Sequence, residues 1–416
     1  MVTLPGHYEF LTDDWRTAAR VFLEREVATR RDRLQPFSIT ERFTDAPPHL
    51  ALPGNTGAWA LRFDGANVTV EPNFDAAADV VIEGDYSAAL VMAQRVGFAA
   101  PGGMEAAWRE MTRQFGKDAV RATGQLADAE AGALLADLHD HLARRTMDNP
   151  NLLHRAERQG LLAHVREMEE KGYTVIENAI SDEFADEIRD ETIRVLAEHG
   201  QTTLNWMLYQ GRAFELLAQN PKLLTLVDAS LGRGAVIASF SGIRKSTGPG
   251  TIPLHVDYAT VPEPYPEWSL TGVGVWALED WTVAAGPTWI VPGSHKRRRA
   301  PNLGVDDVSD AVPIEMPKGS VVFFTEGVWH WQGDRTDPGE RVTLHWHFNR
   351  GILRSLEPKK VDPLMLQRNS PRLAEMLGEH DWFDKMHGVG RDYGRLGYMA
   401  QLLSYTEHQK RKILGD

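Results

Sequence analysis

Apolar residues recur at helical spacing near the start of the chain. Trp15, Ala18, Ala19, Phe22 and Val27 fall on one face between positions 11 and 34, which predicts a helix. The period then changes to two. Phe37 and Ile39 alternate with polar neighbours, Trp59, Leu61 and Phe63 alternate up to Asp64-Gly65, and Val68 and Val70 alternate beyond it, which predicts a hairpin closed by a strong turn dipeptide. Positions 78–82 read as another strand, 86–94 as a helix, 119–123 as a last strand and 131–145 as a closing helix. Residues 1–147 are therefore expected to form a small α+β domain. Thr146-Met-Asp-Asn-Pro150 interrupts the closing helix, and a second domain over 148–416 is expected to follow. Its start reads as a helix over 152–171 ended by Gly172, then a strand over 173–176. Ser181 next caps a helix that carries Asp182 and Glu183 in its first turn and Phe184, Ile188 and Val195 on its apolar face. Beyond Ala235 the pattern turns to short strands separated by Gly and Pro, clearest at 235–244, 270–278, 289–291, 320–324 and 341–348, as in an all-β barrel or sandwich.

Composition narrows the chemistry. With 42% hydrophobic and 25% charged residues the chain has an ordinary globular make-up. The absence of cysteine rules out disulfides, thiolate zinc sites and cysteine nucleophiles, so a metal would have to use His, Asp, Glu or water. A net charge of −13 argues against nucleic-acid binding. The first residues lack a basic stretch followed by an apolar one, and no later apolar run is long enough for membrane insertion, so a cytoplasmic protein is expected. The dense basic run His295-Lys-Arg-Arg-Arg299 reads as a solvated loop, with contact to an anionic substrate as the alternative. His7-Tyr-Glu9 has ligand spacing but no third partner, and it reads as surface.

One His-X-Asp triplet occurs, His255-Val-Asp257, in an extended stretch after Ser246-Thr-Gly-Pro-Gly250. In a strand, residues two apart point to the same face, so this imidazole and carboxylate can reach one ion together. Alone the triplet is weak, since most are surface residues or core hydrogen-bond pairs. The buried-strand pattern Gly319-Ser-Val-Val-Phe-Phe324, followed by Trp329-His330-Trp331, offers a third ligand from a separate strand. Two His and one carboxylate on one side of iron leave three positions for cosubstrate and oxygen, although zinc would accept the same ligands. Arg341, eleven positions after His330, favours iron: a planar cation pointing into a barrel suits the far carboxylate of 2-oxoglutarate. His345 and His347 share the strand face of Arg341 by period two, so they either approach the pocket or are ordinary buried histidines. Trp268, Trp289, Trp329 and Trp331 either wall an apolar substrate site or simply pack, and His295 reads as structural.

These segments carry two family resemblances. Trp59-Ala-Leu-Arg-Phe-Asp-Gly65 and Ala78-Asp-Val-Val-Ile-Glu-Gly-Asp-Tyr-Ser-Ala-Ala-Leu90 resemble the sterol carrier protein family over about 35–147. That resemblance implies a curved sheet covered by helices, often around an apolar tunnel. From 150 to 410 the chain resembles the phytanoyl-CoA dioxygenase family, through Leu254-His-Val-Asp257, Gly274-Val-Trp-Ala-Leu-Glu-Asp280, Gly286-Pro-Thr-Trp-Ile-Val-Pro-Gly-Ser-His-Lys296, and Gly319-Ser-Val-Val-Phe-Phe324 through His330 to Arg341. The second resemblance implies a double-stranded β-helix, a jelly-roll or cupin-like fold with flanking helices. His255, Asp257 and His330 would hold Fe(II), Arg341 would bind 2-oxoglutarate, and Trp276 would line the same pocket. The sequence departs from the family at Val256, where glutamine is common, and at Gln332, where a small hydroxyl residue often stands. Gln332 is accordingly counted with Arg341 and Trp276 among the cofactor-binding candidates.

The implied activity is an oxygenase that uses Fe(II), 2-oxoglutarate and O2 to hydroxylate an unactivated C–H bond of a small substrate, apolar or a lipid or natural product, releasing succinate and CO2. A carboxylate at Asp257 favours oxygenation over halogenation. Desaturation, epimerisation or rearrangement by the same cycle is the alternative, and a lipid carrier with a silent oxygenase half is a reading of another class.

Overall fold

Thr12 opens the first helix, α1 (Asp13–Arg30), by accepting a hydrogen bond from the backbone N–H of Trp15, and two aspartates follow in the first turn. The computed structural model describes residues 7–258, 261–356, 361–379 and 393–415. The chain divides into two units, the first taking Met1–Arg158 with Val361–Ala374 and Asp392–Tyr398, the second Gln159–Lys360 with Glu375–Arg391 and Met399–Asp416.

In the first unit, β1 (Tyr8–Glu9) pairs in parallel with a short strand at Thr146–Met147. The main sheet is built from β2 (Phe37–Thr44), β3 (Thr56–Phe63), β4 (Val68–Glu71), β5 (Val80–Asp85) and β6 (Val120–Gly124), in the order β4-β3-β2-β5-β6. The hairpin between β3 and β4 turns where expected: Asp64 accepts from the N–H groups of Ala66 and Asn67, and Gly65 takes the positive φ of 94°. Helices α2 (Tyr86–Ala93), α3 (Gly103–Phe115) and α4 (Ala129–Ala143) join α1 in covering the unit's apolar cluster, which includes Trp15, Phe22, Ile39, Trp59 and Leu134. The Thr146–Met147 strand is β7. Glu9 is buried and bonds His49 at 3.0 Å, so the His7-Tyr-Glu9 segment is not simply surface; pairing of β1 with β7 draws it inward.

The helix expected over 152–171 is two helices, α5 (Leu152–Arg158) and α6 (Leu162–Lys171), because Gly160 adopts φ 70° between them. The second unit continues with β8 (Tyr173–Ile176), α7 (Asp182–Glu198), β9 (Thr203–Leu204), α8 (Arg212–Leu217) and α9 (Pro221–Leu231). Ser181 caps α7 as expected, accepting from Phe184 N–H. The later strands are β10 (Val236–Gly248), β11 (Thr271–Ala277), β12 (Thr288–Ile290), β13 (Val312–Pro313), β14 (Val321–Thr325), β15 (His330–Gln332) and β16 (Arg335–Asn349). They form a six-stranded sheet in the order β8-β14-β11-β16-β10-β9 and a three-stranded sheet in the order β13-β12-β15.

Val273, Val275 and Ala277 of β11, Val322 and Phe324 of β14 and Ile290 of β12 meet between the two sheets. This makes a sandwich with an apolar layer along one side of its interior. Helix α9 lies against the opposite face of the large sheet, so close that a Cβ on Gly274 would stand 3.1 Å from Leu223. Helices α10 (Pro363–Arg368), α11 (Pro371–Met376) and α12 (Tyr393–Leu414) complete the described chain.

The inner face of β2 carries one ionisable group, Glu41, whose only side-chain partner among the described residues is the indole N–H of Trp59 at 2.7 Å. Burial, opposed only by that bond, pushes its carboxyl up to about 7 from 4.5. The acid form is thus favoured by folding, so this group's contribution is complete below pH 4.5 and is lost as pH rises through 7. The melting temperature of wild-type protein should therefore fall relative to that of Glu41→Gln between pH 4.5 and 7.5, as calorimetry at stepped pH would show. A constant difference across that range would mean that the carboxyl is not desolvated.

Candidate metal centre

His255 and His330 lie on neighbouring backbone segments bridged by two hydrogen bonds, His255 N to His330 O at 3.0 Å and His330 N to His255 O at 3.1 Å. The next residue but one, Asp257, is tied by its N–H to the carbonyl of Glu326 at 3.0 Å. Both imidazoles use Nδ1 locally, His255 toward the Pro253 carbonyl at 2.8 Å and His330 toward the Val328 carbonyl at 3.0 Å. A carbonyl only accepts, so each Nδ1 carries the proton and each neutral ring presents a lone pair at Nε2. Those two Nε2 atoms stand 3.1 and 3.5 Å from the oxygens of Asp257, and one donor atom from each residue lies within 4.8 Å of the others. Two lone pairs and a carboxylate aimed at one point repel one another unless a cation stands among them. The donor set therefore fits a divalent metal with two nitrogen ligands and one oxygen ligand.

The local electrostatics show the same pull toward positive charge. Burial works against the Asp257 carboxylate, but His255 in its protonated form, which donates from Nε2 as well as Nδ1, and the nearness of His330 and His347 hold it well below the usual carboxylate range. Burial also opposes a charged His255, yet its bond to Asp257 raises its pKa. For His330, fully enclosed, burial prevails and the pKa falls.

Strand β16 supplies the rest of the interior. Arg341, Thr343, His345 and His347 point to the sandwich interior, opposite Lys245, Ile243, Ser241 and Ser239 of β10 and beside Ala277, Val275 and Val273 of β11. Arg341 is buried, stacks on Trp281 at 4.6 Å and donates Nη1 to the carbonyl of Gly286. Gly286 is left-handed at φ 70°, and a Cβ there would stand 2.8 Å from the backbone N of Arg335, so no larger residue fits this turn. Burial brings Arg341 down to about 10, which leaves it charged at neutral pH, and its Nε is enclosed without a hydrogen-bond partner. Among the described residues no carboxylate lies within ion-pair distance of it. A buried cation of this kind is a receptor for an anion.

The other sequence candidates divide by face. Gln332 is two residues from His330 on β15, and its carbonyl oxygen accepts from Lys245 Nζ at 3.2 Å and Thr251 N at 3.0 Å. His345 lies in the interior, where burial and then His347 and Arg341 hold it neutral at about 3, with Nε2 3.2 Å from the Thr343 hydroxyl. Trp276 does not join them. It pairs opposite Leu344, on the face that carries Trp346 and Phe348, while its neighbour Val275 pairs with His345 and faces the interior. Trp289 stacks on Trp331 at 5.7 Å on the outer side of the small sheet, because Thr288 and Ile290 take the inner positions opposite Gln332 and His330. Trp329 is buried between Arg297 and Arg299, and Trp268 is half-exposed under Arg350.

The basic run is also internally engaged, with Arg299 bonding Asp306 through two contacts of 2.6 and 2.7 Å. His295 lies against Gly172. The residue that sequence reasoning passed over is Glu326. Its carboxylate holds His347 Nδ1 at 2.8 Å and the Thr271 hydroxyl, and with Asp257 and His347 it forms a second group of donors within 4.8 Å. Its signal was a carboxylate set directly after the buried strand Val321–Thr325, a position that burial rarely tolerates without a partner.

Residues 168–341 match the family described as phytanoyl-CoA dioxygenase (PhyH), so the C-terminal region contains a domain of that family. Two mycobacterial relatives, "Uncharacterized protein Mb1539" of Mycobacterium bovis and "Uncharacterized protein Rv1501" of Mycobacterium tuberculosis, are each 26% identical over 238 residues, spanning 52% of this chain and 84% of theirs. Among solved structures, HygX from Streptomyces hygroscopicus with nickel and 2-oxoglutarate bound is similar at 15% identity and a TM-score of 0.38, over 45% of this chain and 85% of its own. The non-heme alpha ketoglutarate dependent carbocyclase SnoK from nogalamycin biosynthesis is similar at 20% identity and a TM-score of 0.40, over 48% of this chain and 92% of its own.

The alternation on β11 has a direct consequence. Trp276→Phe should cost roughly 1–3 kcal/mol of stability through lost packing yet leave divalent-metal affinity within two-fold. Val275→Trp, one residue away, should crowd the interior and weaken metal and anion binding together. Thermal melts and metal titration on both variants check this, and a metal defect confined to the Trp276 variant would reverse the assignment of faces.

Proposed function

We propose that the second unit is a non-haem iron(II), 2-oxoglutarate-dependent oxygenase, its sandwich a double-stranded β-helix, acting on an unactivated C–H bond of a small, apolar molecule. The observation that carries the reading is the convergence of two Nε2 lone pairs and the Asp257 carboxylate, with both Nδ1 atoms held by carbonyls. The match of residues 168–341 to the dioxygenase family supports it. Arg341, whose buried Nε has no hydrogen-bond partner, supports 2-oxoglutarate in particular, since a dicarboxylate can reach a metal with one end and a guanidinium with the other.

Bound iron would supply oxidation of the substrate with O2, at the expense of 2-oxoglutarate, which leaves as succinate and CO2. The chain's own part is ligation, orientation and dryness. The Pro253 and Val328 carbonyls fix the tautomer and angle of each imidazole, so the Nε2 lone pairs are aimed before a metal arrives. Asp257 contributes the only anionic ligand, leaving a net positive centre that attracts carboxylates. Arg341 holds the far end of the cosubstrate, with Lys245 opposite it in register and oriented by Gln332. Val273, Val275 and Phe324 keep water from the other side of the interior.

Replacing His255, Asp257 or His330 by Ala should each lower iron(II) affinity by at least ten-fold and abolish succinate formation, with the circular dichroism spectrum unchanged. Full succinate formation in any one of them would remove that residue from the site. Arg341→Leu should raise the 2-oxoglutarate requirement by roughly ten- to a hundred-fold while iron affinity stays within two-fold. An unchanged requirement would assign the anion to Lys245 instead.

A further inference from the structure

The interior beside the metal centre is divided lengthwise by polarity. On β10 and β16 the inward rows are Ser241 opposite His345 and Ser239 opposite His347. The same two rows continue as Val275 and Val273 on β11, and as Val322 and Phe324 on β14. At both levels the change from polar to apolar falls between β16 and β11. The Phe324 and His330 rings have centroids 4.8 Å apart, and donor atoms of His347 and Asp257 lie within 4.8 Å of each other, so the ligand set borders both halves.

The fold itself does not satisfy the polar half. His345 engages the Thr343 hydroxyl through Nε2 and His347 donates Nδ1 to Glu326, which leaves His345 Nδ1 and His347 Nε2 without a partner among the described residues. The hydroxyl of Ser239, opposite His347, has none there either. Next to them Asn205, just after β9, accepts from the Ser241 hydroxyl at 2.6 Å through Oδ1, so its amide N–H groups are turned away from that bond. Exposure rises along β16 from 2% at Thr343 to 26% for the side chain of His347, so these atoms face accessible space and not a sealed core. Spare donors and acceptors gathered in a concave site are what orients a ligand.

We infer that the substrate is a neutral molecule, apolar on the side toward Phe324 and carrying on its other side two hydroxyl groups, one bonded at the level of His345 and one at the level of His347. The inference rests on the oxygenase reading and refines its substrate. A hydroxyl both donates and accepts, so it serves Ser239, the amide of Asn205 and an imidazole nitrogen in either tautomer, whereas a carbonyl only accepts and an ammonium only donates. The two levels are two residues apart on one strand face, roughly 7 Å, which is near the span of a six-membered ring bearing hydroxyls at opposite positions. Neutrality follows from the charges already engaged. Arg341 and Lys245 lie at the buried end, and the Glu326 carboxylate is taken by His347 and Thr271, so an ionic group on the substrate would find no free counter-charge on this wall.

The test uses full-length protein with zinc(II), a redox-silent stand-in for iron, and 2-oxoglutarate. Four probes share one ring: cyclohexanol, trans-1,4-cyclohexanediol, trans-4-hydroxycyclohexanecarboxylate and trans-4-aminocyclohexanol, titrated by saturation-transfer NMR. The diol should bind at least ten-fold tighter than each of the other three. His345→Leu should bring the diol and cyclohexanol to within three-fold of each other, with zinc(II) affinity within two-fold of wild type. Should the Leu variant not fold, Ser239→Ala decides: it removes one hydroxyl from a half-buried position and should weaken the diol at least three-fold while cyclohexanol is unchanged. Equal binding of diol and cyclohexanol by wild type, a preference that survives both substitutions, or no binding of any probe would overturn the inference. Tightest binding of the carboxylate or the amine would replace it with an ionic substrate. Failure of the oxygenase reading has a different signature, the absence of zinc(II) and 2-oxoglutarate binding by wild type in calorimetry; the diol preference measured on metal-free protein then decides the hydroxyl site by itself.

Discussion

Strand β16 runs between β10 and β11, and the strict alternation of its side chains sorts the second unit into a wet half and a dry half. Arg341, Thr343, His345 and His347 share one side; Val342, Leu344, Trp346 and Phe348 share the other. The apolar set is held by Phe240 of β10, stacked on Trp346 at 5.4 Å. A shift by one residue would drive four polar side chains into that packing and expose the apolar set to the interior, so packing on one face enforces chemistry on the other. The interior itself is uneven. Its β11 and β14 side is valine, alanine and phenylalanine, and its β10 and β16 side is serine, lysine, arginine and histidine, which puts a low-polarity wall facing an ion-binding one.

Once the register is set, backbone hydrogen bonds finish the metal centre. The bridge between His255 and His330 holds two rings with centroids 4.2 Å apart. Their Nδ1 partners are carbonyls of residues two positions earlier in each segment, so the same local turn is used twice. A carbonyl can only accept, and this holds both neutral rings in the tautomer with the proton on Nδ1 and the lone pair on Nε2. Glu326 serves the backbone and the interior together: its carbonyl anchors Asp257, and its carboxylate positions His347 and Thr271. The loop bearing the acidic ligand and the far end of β16 are thereby tied to one residue.

The parts of this arrangement that could be read from the chain are those governed by short spacing. His255 and Asp257 stand two apart, His330 follows an unmistakable buried strand, and Arg341 lies at the start of the next alternating run. Trp276 shows the limit of the same reasoning. β11 is buried on both faces, so its all-apolar sequence carries no alternation to say which residues face inward, and only pairing with β16 distinguishes Val275 from Trp276. The tryptophans near the ligands misled for a related reason, since neighbours in sequence on a strand point to opposite sides; Trp329 and Trp331 flank His330 and for that reason face away from it. The partner of Glu326 depends on contacts distant in sequence, which no local pattern encodes, whereas the break at Gly160 rests on a local signal, a glycine free to take a positive φ. In the first unit the alternation was legible at Phe37 and Ile39, and the inward row goes on through Glu41 to Phe43.

Asp257 and Glu41 show how one functional group acquires two charge states. Both are carboxylates withdrawn from water, and burial alone would raise both pKa values. Around Asp257 stand three imidazoles, and their attraction outweighs the burial, so the group remains an anion able to hold a metal. Around Glu41 stand an indole N–H, an isoleucine and an alanine, which offer one hydrogen bond and no charge, and its carboxyl rises to about 7. A metal ion needs the first environment, because it must find negative charge already present. The difference arises from what each strand's neighbours carry at the same level of the sheet, so register, rather than residue type, assigns the chemistry of both acids.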